Sequence, residues 1–145
     1  MKAKLIDERS GHRTFVAIFD VGDEVITGIT TLAREHRLRG SHLTAIGAFR
    51  EVVLWYWDWE KKRYERIPIH EQVEVVSMIG NIALAADGSP QAHAHVVVGK
   101  RDGAAHGGHL IEAKVRPTLE VIIVEVPGHL QRRTDPATGL ALIGV

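Results

Sequence analysis

Apolar and polar residues alternate with a period of two along most of the chain, which predicts strands. TFVAIF, residues 14–19, is a β-branched and aromatic run that reads as a buried strand. The segment after it breaks the period. In DVGDEVITGITTLAREHRLRG, residues 20–40, Val25, Ile26, Ile29, Leu32, Ala33 and His36 recur at near-helical spacing and predict the main helix. Asp20 or Asp23 is its expected cap and Gly40 its expected end. Alternation resumes in HLTAIGAF, residues 42–49, where Gly47 suggests a bulge or a close backbone approach. In EVVLWYWDW, Trp55, Trp57 and Trp59 fall on one face, with Leu54, Tyr56 and Asp58 on the other. The tryptophan stripe reads as core or subunit interface rather than as a platform for stacking bases.

YERIPI, residues 64–69, reads as a short return strand that Pro68 confines to a sheet edge. Residues 72–84 form the longest strand candidate, and Asp87-Gly88 turns the chain into another at 92–99. Lys100-Arg101-Asp102-Gly103 turns it again, and TLEVIIVEV, residues 118–126, is a buried strand. The tail reads as two short extended pieces around a turn at 135–139. Successive hairpins predict an α+β fold in one domain, residues 1–145: a mostly antiparallel sheet with one main helix and one or more short helices.

Composition narrows the function classes. The chain has no cysteine, so disulfides, thiolate metal sites and a cysteine nucleophile are excluded. Eighteen basic side chains balance eighteen acidic ones. A duplex-binding protein ordinarily carries excess positive charge, so the balance argues against that role, while it suits self-association. No apolar run reaches bilayer length, and MKAKLIDERSGHR lacks the apolar stretch of a secretory signal; a cytoplasmic protein is expected, with no membrane partner. There is no Gly-x-Ser-x-Gly elbow, no phosphate-cradling loop and no dinucleotide fingerprint.

Candidate chemistry concentrates in QAHAHVVVGKRDGAAHGGHL, residues 91–110, which holds four of the nine histidines. His93 and His95 lie two apart on an expected strand, so their rings project from one face, with backbones about 7 Å apart. The chain then returns, bringing His109 beside them. A four-residue loop would set His109 opposite Ala94, on the wrong face; three or five residues would set it opposite His93 or His95. Gly107-Gly108 offers a bulge as another way to aim the ring. Three imidazoles with an open fourth position match an exchangeable or catalytic Zn²⁺ site, and the same donors suit Ni²⁺, Cu²⁺ and Fe²⁺.

With these residues in view, the chain resembles the plants-and-prokaryotes-conserved (PPC) domain in its free-standing prokaryotic form. The likeness rests on residues 22–49, VEVVSMIGNIAL (73–84), HAHVVVGKRDGAAHGGHL (93–110), TLEVIIVEV (118–126) and RRTDPATGLALI (132–143). It implies an α+β domain assembled as a homotrimer, with a metal, zinc, on His93, His95 and His109. His106 stands where such sequences often carry an apolar residue, as an additional ligand or an obstruction. In plants the domain follows AT-hook segments, and a DNA-binding label travels with the family. Here no Arg-Gly-Arg-Pro hook occurs, and the plant Gly-Arg-Phe-Glu-Ile-Leu motif appears as EQVEVV, residues 71–76, which keeps Glu74 without the arginine.

Glu74 and Glu120 sit within apolar strands. Each is expected on the solvent side; facing a cleft instead, either would serve as a general base. Arg116 and Arg50 are candidates to pair with them or to bind an anion, and the other basic residues, Arg132 among them, read as solvated. Two functions follow from the residues, and a third, DNA binding, from the family label alone. One is a homotrimeric binding or regulatory module with a structural or sensing metal. The alternative is a metal-dependent enzyme that acts on a small molecule or anion through a metal-bound water, with Glu74 or Glu120 as base.

Overall fold

The computed structural model describes residues 1–144. In chain order the elements are β1 (Lys2–Arg9), β2 (His12–Phe19), α1 (Val25–Glu35), β3 (Gly40–Asp58), β4 (Arg63–Ile69), β5 (Val73–Leu84), β6 (Pro90–Gly99), β7 (Ala105–Glu125), β8 (Gln131–Thr134) and β9 (Ala141–Gly144). The ladders are antiparallel except for one parallel pairing, Leu84 with Gln131, where β8 meets β5.

Two long strands organise the sheet. β3 pairs with β4, β5 and β7, and β7 pairs with β2, β3 and β6. Because β6 also pairs with β5, the pairings β3–β5, β5–β6, β6–β7 and β7–β3 close a ring. The alternation of each strand then decides what points in and what points out. Leu43, Leu54, Met78, Val96, Val98 and Leu110 are buried, and α1 adds Val25, Ile29, Leu32 and Ala33 to the same core. The outward set includes Ile46, Val76, Ile79, Val97 and Ile122, all substantially exposed.

Gly47 marks a bulge in β3, which pairs with β5 as far as Phe49 and with β4 from Val52. Its φ of +148° and the absence of a side chain let it lie against the backbone of Thr118 and Leu119, and the ladders shift register on both sides of it. Residues 42–49 and 51–58 run through this bulge as one strand that ends at Asp58. Residues 107–126 likewise run within the single strand β7 as far as Glu125.

Several expectations are corrected. Among the described residues α1 is the only helix; the short additional helices do not form, because outside 25–35 the apolar period is two and the backbone is committed to ladders. α1 is capped by Glu24, whose carboxylate accepts from the N–H groups of Ile26 and Thr27, rather than by Asp20 or Asp23. Asp23 instead pairs with the N-terminal ammonium at 2.6 Å. The helix ends at His36, with Arg37 in the left-handed region (φ +53°), before Gly40. Trp59 lies in the turn beyond β3 and is exposed, so the stripe reduces to Trp55 and Trp57. Pro68 does lie on an edge strand, since β4 pairs with β3 alone.

Candidate metal centre

The hairpin β6–β7 sets the site. Its connection, residues 100–104, has five residues, closed by Lys100 N–H donating to Ala104 O at 2.8 Å. That length places His109 opposite His95. The register runs without interruption past Gly107 and Gly108, so no bulge is needed there. β5 supports the pair from the other side, with Ile79 opposite His95 and Asn81 opposite His93. Gly80 between them admits β6 closely: a Cβ there would strike the His93 carbonyl and Ala94.

The three rings converge. Centroid separations are 4.6 Å for His93–His109, 5.3 Å for His93–His95 and 5.4 Å for His95–His109. One ring nitrogen from each lies within 4.8 Å of the others, so His93, His95 and His109 can hold a metal ion between them. Two observations fit neutral nitrogen donors in search of a cation. His93 Nε2 and His109 Nδ1 are buried without a hydrogen-bond partner. Burial, then the positive charge of neighbouring His109, Arg132 and His95, pushes the His93 pKa down to about 4. Burial, then His95 and Arg132, does the same for His109. Both rings are therefore unprotonated at neutral pH, the form that ligates metals.

The sequence profile of the Plants and Prokaryotes Conserved (PCC) domain matches residues 6–127. The chain belongs to this family. Among solved structures, the PPC protein of Pyrococcus horikoshii is similar at 33% identity over 92% of each chain, with a TM-score of 0.86. A metal-containing protein of Archaeoglobus fulgidus is similar at 32% identity over 100% of this chain and 99% of its own, with a TM-score of 0.86. A protein of Ralstonia eutropha JMP134, named as a candidate DNA-binding protein, is similar at 26% identity over 98% and 96%, with a TM-score of 0.85. No curated protein sequence matches the chain.

In this PCC domain the histidines form one wall of an open cavity of about 640 Å³. Trp55, Trp57 and Tyr64 form a second wall, with Trp55 and Tyr64 stacked at 4.8 Å and Tyr64 5.6 Å from the His109 ring. The β8–β9 hairpin covers the third side with Arg132, Leu140 and Leu142. Arg132 corrects its expected solvation: it is 4% exposed. Its Nη1 donates to Ala141 O at 3.1 Å and its Nη2 to Asn81 Oδ1, and burial lowers its pKa. Neither Arg132 nor Asn81 is legible as a site residue in sequence, because the tail strands are only four residues long and show no usable period.

The other candidates lie elsewhere. His106 is exposed and three residues from His109, so it projects from the opposite face of β7. Glu74 is exposed opposite Gly99, further along β6 than His95, and Glu120 is exposed opposite Ile18 and Ile46. Arg116 is exposed at the far half of β7, and Arg50 pairs with Glu51 at 2.6 Å rather than with either glutamate. Among the described residues lining the cavity there is no Asp or Glu.

Proposed function

We propose that this PCC domain is a cytoplasmic, single-domain homotrimer that holds a zinc ion on His93, His95 and His109 and captures a small ligand beside it. The observation that carries the reading is the convergence of three imidazoles, two of them with buried nitrogens that no protein group satisfies. The metal-containing relative from Archaeoglobus fulgidus supports it. Zinc suits the donor set, since three neutral histidines with a remaining position are common for it. When bound, such an ion supplies Lewis acidity toward an oxygen of the ligand.

The homotrimer is supported by the outward face of the ring. Ile46, Val76 and Ile79 are each about 60% exposed, and Val97 and Ile122 adjoin them. Apolar side chains gathered on one side of a sheet mark an interface surface. Ile79 pairs with His95, so that face runs up to the histidines.

A binding or regulatory role is favoured over catalysis, because no carboxylate of the described residues lines the cavity to move a proton. DNA binding, a name carried by the Ralstonia relative, is disfavoured by the balanced charge. The test is metal content after dialysis. The wild-type chain retains close to one zinc per chain, and the double substitution His93→Ala, His95→Ala retains none; equal content in both would overturn the reading.

A further inference from the structure

Four side chains that line the cavity each carry a buried polar atom that lacks a partner among the described residues: His93 Nε2, His109 Nδ1, Trp57 Nε1 and Arg132 Nε. The first two are accounted for by a metal. The other two are N–H donors, one of them on a guanidinium that is 4% exposed. Leaving such donors dry is costly, more so for a charged group. The two hydrogen bonds that Arg132 makes go to neutral oxygens, the Ala141 carbonyl and the Asn81 amide, so its charge has no counter-ion in them. The remaining wall is apolar and aromatic: Trp55, Tyr64, Ala92, Leu140 and Leu142.

We propose that this cavity is a binding site for a small organic carboxylate, whose anionic oxygens accept from Arg132 Nε and Trp57 Nε1 while its apolar body lies along Trp55, Tyr64 and Leu140. The proposal rests on the reading of the cavity as a ligand site and names the ligand's class. A carboxylate matches the inventory better than a phosphate. Two single donors and one positive charge suit one negative charge with two oxygens, whereas a phosphate calls for more donors and more charge. The aromatic wall would leave a bare inorganic anion with nothing to cover it, and it suits a planar or branched body. Arg132 is held from behind by Asn81 and Ala141, so its orientation is set before the ligand arrives.

The experiment titrates the ¹⁵N-labelled chain, stripped of metal and loaded with zinc, with phenylacetate, with its neutral isostere phenylacetamide, and with inorganic phosphate. Phenylacetate shifts the Trp57 indole N–H and the Arg132 Nε–H resonances in both forms of the protein. Phenylacetamide and phosphate bind at least about tenfold more weakly. Arg132→Gln lowers phenylacetate affinity by about tenfold or more with the zinc content unchanged, and Trp57→Phe, which keeps a ring and deletes the donor, lowers it several-fold. Equal affinity for the acid and the amide, tight binding of phosphate alone, or unchanged phenylacetate binding in either variant would overturn the proposal. If Arg132→Gln fails to fold by circular dichroism, Trp57→Phe and the acid–amide pair decide it. The metal reading is separated from this one: phenylacetate shifts that persist in a chain that takes up no zinc support the carboxylate site and sink only the metal, and zinc retained without any phenylacetate shift does the reverse.

Discussion

Two arginines on opposite parts of the molecule are treated in opposite ways. Arg13, on β2, is a quarter exposed and meets Glu125 of β7 with two hydrogen bonds of 2.8 Å, from Nε and Nη2, while Nη2 also reaches the His36 carbonyl at the end of α1. Arg132, on β8, is far more buried, yet it is held by neutral oxygens and its Nε is unmatched. The first arrangement ties strand, strand and helix together and is a stability device. The second leaves a cost standing in the wall of a cavity next to three histidines. A buried donor without a partner is rare in a folded protein, so the place where such donors collect is the place where the molecule expects a ligand.

The sharpest way to break the contrast is to remove the histidines. His93→Ala with His95→Ala is expected to lower metal affinity by more than about 100-fold, since even supporting residues around a metal are worth 10–100-fold. Calorimetric zinc titration measures it, and circular dichroism should show the fold intact, because the outward face of β6 carries these rings while Ala94, Val96 and Val98 hold the core. Gly80→Val sharpens the same point without touching a ligand. Its side chain would push on the His93 carbonyl and Ala94, so zinc affinity should fall with all three histidines present.

Next in size is the assembly. Ile46→Asp with Ile79→Asp places two carboxylates on the exposed apolar face. Light scattering should report a fall in mass from three chains to one, and an unchanged mass would remove that face from the interface.

The Arg13–Glu125 pair gives a smaller effect with a definite pH signature. The hydrogen bonds from Arg13 hold the Glu125 carboxyl below its ordinary range. A carboxyl with a lower pKa in the folded chain binds fewer protons there than when unfolded, so its contribution is full above the unfolded value near 4.5 and is lost as the pH falls through the folded value. Glu125→Gln should cost about 1–2 kcal/mol at pH 7 and progressively less on acidification, measured by denaturant unfolding across pH. Arg132→Met should do least to stability, within about 1 kcal/mol, because it removes an unmatched buried charge along with two neutral hydrogen bonds. A loss as large as that of Glu125→Gln would make Arg132 a stability device too and dissolve the contrast.

Much of this was readable in the chain. The apolar pattern placed β2, β5 and β6, the turn at 135–139 placed the tail hairpin, and His-x-His on a strand followed by a turn and Gly-Gly-His was enough to pick out the triad; only the loop length separating the right face from the wrong one needed coordinates. What escaped has physical causes. β1 is a polar edge strand whose Leu5 and Ile6 are exposed, so it carries no buried face to announce itself. Gly47 was legible as a bulge or a close backbone approach and is both; what it did not announce is that β3 runs on through it to Asp58. α1 uses a glutamate as its cap, a residue outside the usual Ser, Thr, Asp and Asn set. Arg132 acquires its meaning from a hairpin that docks on β5, where Gln131 pairs with Leu84 and Arg132 reaches Asn81, a long-range event with no local pattern.

The most direct measurement is native mass spectrometry of the purified protein together with elemental analysis of its metal. Three chains carrying three zinc ions, reduced to three chains with none when His93 and His95 are replaced by alanine, is the result predicted. A wild-type protein that binds no metal when zinc is supplied, or that binds as much after the histidines are gone, would contradict the site.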